Sequence, residues 1–150
     1  MIEIRTVKQE DIQQIIALCK TADMDVPEDF DRVFVAEDID ERSPLQQRAS
    51  SGPVAGFVRL RVIKGVAYIN PLIVSEAYRE QGIGGQLVNH VMDNFDKVSF
   101  VARGSAIPFY ERLGFTATSW ENLAPEITQD CATCEVRDAC RPLPMSAGKH

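Results

Sequence analysis

The stretch Tyr78–Leu87, YREQGIGGQL, places Gly82, Gly84 and Gly85 within four residues. An apolar run, VAYINPLIVS (Val66–Ser75), precedes it, and apolar residues at helical spacing (Leu87, Val88, Val91, Met92, Phe95) follow it. A strand, a glycine-rich turn and a helix in that order make a phosphate-binding layout. Glycine lets the backbone approach a ligand and expose its N–H groups, and the helix N-terminus adds partial positive charge. Two familiar versions fail on spacing. The dinucleotide fingerprint G-x-G-x-x-G would need a glycine where Leu87 stands, and the P-loop needs a Lys-Ser or Lys-Thr pair that does not follow these glycines. What remains is R-x-x-G-x-G over Arg79, Gly82 and Gly84. Arg79 adds a full positive charge, and the combination suits a pyrophosphate.

Working outward, the chain alternates strand and helix signals. IEIRTVK reads as a first strand, and Ile12, Ile15, Ile16 and Cys19 recur at helical spacing, predicting an amphipathic helix over about Glu10–Lys20. Arg32–Asp38 reads as the second strand, Glu41–Gly52 as a long polar connection, and Val54–Ile63 as the third strand. Lys64–Gly65 fits a tight turn into a fourth strand, Val66–Val74. Pro71 inside that strand cannot donate to a ladder, so the strand is expected to bulge or leave its neighbour there. After the glycine loop and its helix come a fifth strand, KVSFVA, and a short helix in SAIPFYERLGF with Ser105 as N-cap and Gly114 as its left-handed stop. FTATSW reads as a sixth strand, and the tail from Glu121 to His150 as loop. The pattern predicts a mixed α/β domain with a central sheet.

Composition narrows the partners. The chain has 150 residues, 45% hydrophobic and 25% charged, which fits one domain with a single core. No apolar stretch reaches about 18 residues, and the charged, amphipathic start MIEIRTVKQEDI does not read as a signal peptide, so a cytoplasmic protein without membrane contact is expected. A net charge of -6 argues against a general nucleic-acid binder. Nine carboxylates lie between Asp23 and Glu41 against Arg32 alone. That run reads either as a solvated surface or as a rim attracting a cationic substrate.

A second motif, AIPFYERLGF (Ala106–Phe115), stands about 20 residues beyond the glycines, across one helix and one strand. With both motifs in order, residues 1–120 resemble the GNAT superfamily of acetyl-CoA-dependent N-acetyltransferases. The resemblance implies an α/β fold with a mixed, mostly antiparallel central sheet, a splayed fourth strand and flanking helices; it does not extend to residues 121–150, which read as a cysteine-containing tail packed on or extending from the same domain. It implies acetyl-CoA as co-substrate and a primary amine, on a small molecule or a protein N-terminus, as acceptor, in a monomer or homodimer. The coenzyme pyrophosphate would lie on the loop Arg79, Glu80, Gln81, Gly82, Ile83, Gly84 and Gly85. The pantetheine arm would pair with the backbone of Leu72, Ile73 and Val74, with an amide near Ile73 or Val74 on the thioester carbonyl. Tyr110 matches the family tyrosine that protonates the departing thiolate. Relatives often carry Asn three residues before the motif alanine, where this chain has Arg103.

The general base is not marked. The fourth strand offers only Tyr68 and Asn70 as polar side chains, which leaves Glu37, Asp38 or a water chain. His90 falls on the polar face of its helix and is expected to be exposed. Cys131, Cys134 and Cys140 give C-x2-C-x5-C, half of a zinc pattern without a fourth cysteine nearby, whereas Cys19 reads as core. The competing reading is a non-catalytic acetyl-CoA-binding module with a metal-binding cysteine tail.

Overall fold

A computed structural model describes residues 1–39, 52–132 and 141–148, without the side chains of 130–132 and 148. Seven strands form one sheet in the order β1-β2-β3-β4-β5-β7-β6. They are β1 (Ile2–Thr6), β2 (Val33–Asp38), β3 (Val54–Ile63), β4 (Val66–Val74), β5 (Lys97–Ala102), β6 (Thr116–Ala117) and β7 (Leu143–Gly148). Among the described residues the α-helices are α1 (Ile12–Thr21), α2 (Ile83–Asn94), α3 (Ile107–Arg112) and α4 (Pro125–Ala132). Two compact units divide the chain: Met1–Leu60 with Asn70–Val91, and Arg61–Ile69 with Met92–His150.

In the first unit, β1 and β2 pair antiparallel from Ile2↔Asp38 to Thr6↔Phe34, and β2 pairs antiparallel with β3. The two-residue side-chain period of β2 sends its neighbours to opposite faces. Val33 and Val35 join Phe57, Val54 and Ile73 against Ile15 and Cys19 of α1, all buried. Phe34 faces the other way and meets the His90 ring of α2 edge-on, with centroids 4.5 Å apart. His90 is therefore half-buried against an aromatic ring rather than exposed. Helix α2 faces inward through Ile83, Leu87, Val88 and Val91, spaced four, one and three apart as a buried stripe requires.

A buried ionic group closes this unit. The Arg5 guanidinium grips Asp11 with two bonds (2.8 and 3.0 Å), and its Nε donates to Glu37 Oε1 at 2.8 Å. Asp11 Oδ2 also accepts from Lys8 N–H at 2.7 Å, and Glu37 Oε2 from Gly52 N–H at 2.7 Å. Both carboxylates are fully buried. The bonds to Asp11 and then to Glu37 outweigh desolvation and raise the Arg5 pKa further, so Arg5 stays charged.

In the second unit, β4 pairs in parallel with β5 at Ala67↔Val98 and Tyr68↔Ser99. The registered pairing holds those two residues of β4, which runs on through Pro71 to Val74, in keeping with the expected departure from its neighbour. Strand β7 lies antiparallel between β5 and β6. The tail expected as loop thus contains both α4 and a strand inside the sheet. Its sequence, LPMSAG, has no β-branched residue and carries Pro144, so period and propensity give no strand signal. What places it is tertiary: Met145 is buried opposite Phe100, and Ser99 Oγ donates to Ser146 Oγ at 3.1 Å. The expected sixth strand is only two residues long.

Helix α3 ends as its sequence requires. Gly114 takes φ +96, its N–H bonds to Glu111 O, and Phe115 N–H reaches back to Tyr110 O at 3.2 Å, a Schellman closure. Its start differs from expectation. Ser105 sits within a 3-10 turn, Gly104–Ala106, and the N-cap of α3 is Ala106, with no side-chain cap. The 3-10 turn and Pro108 at the helix start replace the capping hydroxyl.

Candidate active site

The residues expected to hold the coenzyme, Leu72–Val74 and Arg79–Gly85, fall in the first unit, and Tyr110 in the second. Beyond Val74 the backbone makes a 3-10 turn, Glu76–Tyr78, with Tyr78 N–H on Ser75 O at 2.9 Å. Arg79 is extended, Glu80 has φ +65 and Gly82 φ +78. These left-handed steps turn the chain into α2, whose first helical bond is Gln86 N–H to Gly82 O at 3.0 Å. The amides of Ile83, Gly84 and Gly85 precede that bond, so they have no acceptor within the helix. Ile83 anchors the turn at 1% exposure, whereas Arg79, Glu80, Gln81 and Gly82 face solvent. A Cβ at Gly82 would meet nothing within 4 Å, so space stands open in front of the loop. The loop thus places exposed Arg79 a few residues ahead of a helix N-terminus, where first-turn amides and the helix dipole favour an anion.

A cavity of about 530 Å³ opens beside this loop within the first unit. Helix α1 contributes Gln14, Ala17, Leu18 and Thr21, β4 contributes Ile73 and Val74, and the loop contributes Ser75, Glu76 and Arg79. Gln14 was not singled out from sequence. Its side chain accepts from Val54 N–H at 2.8 Å and donates to Gly52 O at 3.4 Å, which fixes this wall to the start of β3. Nothing in the local sequence marks a lone Gln on a helix for that role.

Gly56 was also missed, although a glycine inside a strand signals close backbone approach. A Cβ there would stand 2.8 Å from Ile73 O and 3.2 Å from Val74 Cα, so β4 settles onto β3 because the position is bare.

Tyr110 is 8% exposed. Its ring lies 4.2 Å from Phe100, 4.9 Å from Phe109 and 5.9 Å from Phe115, centroid to centroid. Desolvation by burial pushes the phenol up to about 12, so it holds its proton throughout the neutral range. It packs and remains a proton donor at once.

The candidate bases fare differently. Both Glu37 oxygens already accept, from Arg5 and Gly52, and the side chain is fully buried, so its place is structural. Tyr68 OH accepts from Ala124 N–H at 3.1 Å, joining β4 to the turn before α4. Within the acidic run, Asp29 Oδ2 holds Arg59 at 3.1 Å, while Asp23, Asp25 and Glu28 are exposed. Arg103 is exposed at the head of the 3-10 turn.

Cys19 is fully buried, and burial pushes its thiol up, as a core residue requires. Cys131 lies in the last turn of α4 without a described side chain, and Cys134 and Cys140 lie outside the described residues. Among the described residues, no group of three His, Cys, Asp or Glu could hold a metal, and no helix is long and apolar enough to cross a membrane.

Residues 29–117 match a family model described as an acetyltransferase (GNAT) domain. No curated protein sequence matches the chain. Among solved structures, N-acetylglutamate synthase from Neisseria gonorrhoeae, complexed with coenzyme A and N-acetyl-glutamate, superposes with a TM-score of 0.77 at 17% identity. That match covers 100% of this chain and 35% of the synthase, so the chain spans about a third of that relative's length. Rv2747 from Mycobacterium tuberculosis, in complex with CoA, gives 0.71 at 18% identity over 99% of both chains. The ribosomal-protein-S18-alanine N-acetyltransferase from Escherichia coli gives 0.64 at 18% identity over 99% of this chain and 94% of that one.

Proposed function

The chain belongs to the GNAT acetyltransferase family, and from that premise we propose that it moves the acetyl group of acetyl-CoA to a primary amine by direct attack in a ternary complex. The observation that carries this reading is the cavity lined by Ile73 and Val74 of β4 and by Arg79 of the glycine loop, which leads into the N-terminus of α2. The pyrophosphate would sit on that loop, and the pantetheine arm would pair with Leu72–Val74. The amine lone pair attacks the thioester carbon, forming C–N, while a backbone amide near Ile73 or Val74 stabilises the oxyanion. The C–S bond then breaks, and the thiolate takes a proton from Tyr110. The amine proton leaves to a base other than Glu37.

The acceptor names of two relatives, a glutamate product and a protein alanine, both describe α-amino acids. They favour an α-amine, free or at a protein N-terminus, as the nucleophile here. Screening amino acids and short peptides for acetyl-CoA-dependent thiol release, with the four cysteines blocked or counted, tests the reading. It fails if every amine leaves the rate at the level of solvent hydrolysis.

Acetyl-CoA should raise the melting temperature, because a ligand of the native state at about 100 times its Kd adds about 2.7 kcal/mol. Gly84→Val should abolish that rise. Gly84 lies in the first turn of α2, so a branched side chain there obstructs the phosphate face at modest cost to the helix. Gly82→Val is a poorer probe, since its φ of +78 strains any β-branched residue. An undiminished rise in Gly84→Val moves the coenzyme off this loop.

If the acidic run steers a cationic acceptor, the attraction is screened over a Debye length of about 10 Å at 0.1 M salt. Asp25→Asn with Glu28→Gln should then raise KM for that acceptor at low salt and flatten its salt dependence, with kcat unchanged. Asp29 is spared because it holds Arg59. An unaltered KM assigns the run to solvation.

A further inference from the structure

The geometry points to Gly56 as a positioning residue for the acyl-coenzyme arm: by having no side chain it sets where the Ile73–Val74 backbone stands. This rests on the coenzyme reading above. Gly56 is the buried third residue of β3, and the Cβ of any other residue would stand 2.8 Å from Ile73 O, 3.2 Å from Val74 Cα and 3.3 Å from Val74 Cγ2. The first two are backbone atoms, which cannot rotate away. The 2.8 Å approach to the Ile73 carbonyl is one that real Cβ atoms essentially never make, so something must shift.

Three features direct that shift onto Ile73 and Val74. On its other side Gly56 is registered opposite Ala36 of β2, fully buried, which leaves β3 no room to retreat. The register between β2 and β3 steps between Ala36 and Glu37, where Glu37 is held by Arg5 and Gly52, so this part of the ladder is fixed. Just beyond, Ser75 N–H donates to Ala55 O at 2.8 Å and pins the end of β4 to the residue before Gly56. A methyl at 56 therefore pushes on a short segment held at its far end. Those two residues present the backbone that would pair with the pantetheine arm, while the phosphate loop begins past the Ser75 anchor.

The consequence is a split between two parts of one ligand. Gly56→Ala should weaken acetyl-CoA binding about tenfold or more, the effect of losing one or two well-made backbone hydrogen bonds to the arm. Binding of ADP, which carries the pyrophosphate without the arm, should change less than about twofold, since the loop lies beyond the anchor. Titration calorimetry for acetyl-CoA and ligand-observed NMR for ADP read the two, with circular dichroism and melting temperature reporting the fold. The double variant Gly56→Ala/Val74→Ala removes the Cγ2 contact but not the carbonyl contact, so it should fold more readily and still bind acetyl-CoA weakly. Equal loss of ADP and acetyl-CoA binding overturns the proposal in favour of general damage. So does wild-type acetyl-CoA affinity in Gly56→Ala, or full recovery in the double variant, which would put the crowding on the side chain. Wild-type protein that binds neither ligand instead removes the coenzyme reading itself.

Discussion

Arg5→Met should cost about 3–5 kcal/mol of folding stability, the usual price of breaking a buried pair by removing one partner. Arg5 makes three charge-assisted bonds to two carboxylates, and both carboxylates are fully buried. Methionine fills similar space but withdraws that cation from Asp11 and Glu37 together. Urea unfolding should show a lower midpoint at unchanged slope. The deficit should shrink in acid, because protonating either carboxylate removes the charge that methionine no longer offsets. Against a total of about 5–15 kcal/mol for a domain, the loss is large enough to be visible in melting temperature as well. Replacing all three residues by apolar ones of similar volume should recover much of the deficit, because an intact buried ion pair is itself weakly stabilising. A cost under about 1 kcal/mol would mean the group is screened like a surface pair.

That ionic group also shows what the sequence could not convey. Arg5 stands in an alternating strand, Asp11 just before a helix and Glu37 in a second strand, where it reads as a candidate base, and no local pattern joins the three. Their meeting depends on β1 pairing with β2 from Ile2↔Asp38 onward, a contact across more than thirty residues of chain. Local patterns were legible where the period is sustained. Strands β3, β4 and β5 have the expected limits, and the two positive φ values at Lys64 and Gly65 are those the tight turn demands. Strand β7 was not legible because its place is set by burial of Met145 and by Ser146 against Ser99, with Pro144 speaking against it.

The glycine loop was legible for a different reason. Positive φ and open backbone approach need glycine, so the need is written directly in residue type, and the structure gives Gly82 a φ of +78 ahead of α2. Gly56 carried the same signature, but a single glycine in a strand has no partner motif to fix its meaning. Gln14 carried none, since its role depends on Gly52 and Val54 lying across from α1.

Tyr110→Phe should lower kcat about tenfold to a hundredfold with little change in KM for acetyl-CoA. The substitution keeps the ring, and with it the contacts to Phe100, Phe109 and Phe115, so the fold should hold within about 1 kcal/mol. The size follows from the acid strength. Burial raises the phenol to about 12. A free thiol lies near 8.5, so full transfer to an exposed thiolate is uphill by roughly three to four units. Tyr110 should therefore act mainly by a hydrogen bond that strengthens as charge grows on sulfur, with the proton following, and that places the effect at the lower end of general-acid contributions. The sign for pH is also fixed. A group raised to about 12 is protonated at every pH below that, so the loss in Tyr110→Phe should be the same factor from pH 6 to pH 9, and wild type should show no alkaline fall from this residue there. A tyrosine of ordinary pKa would begin to fail near pH 10 instead. Turnover unchanged in the variant makes Tyr110 a packing residue, and a loss that grows steeply with pH would mean the phenol titrates far lower than its burial implies.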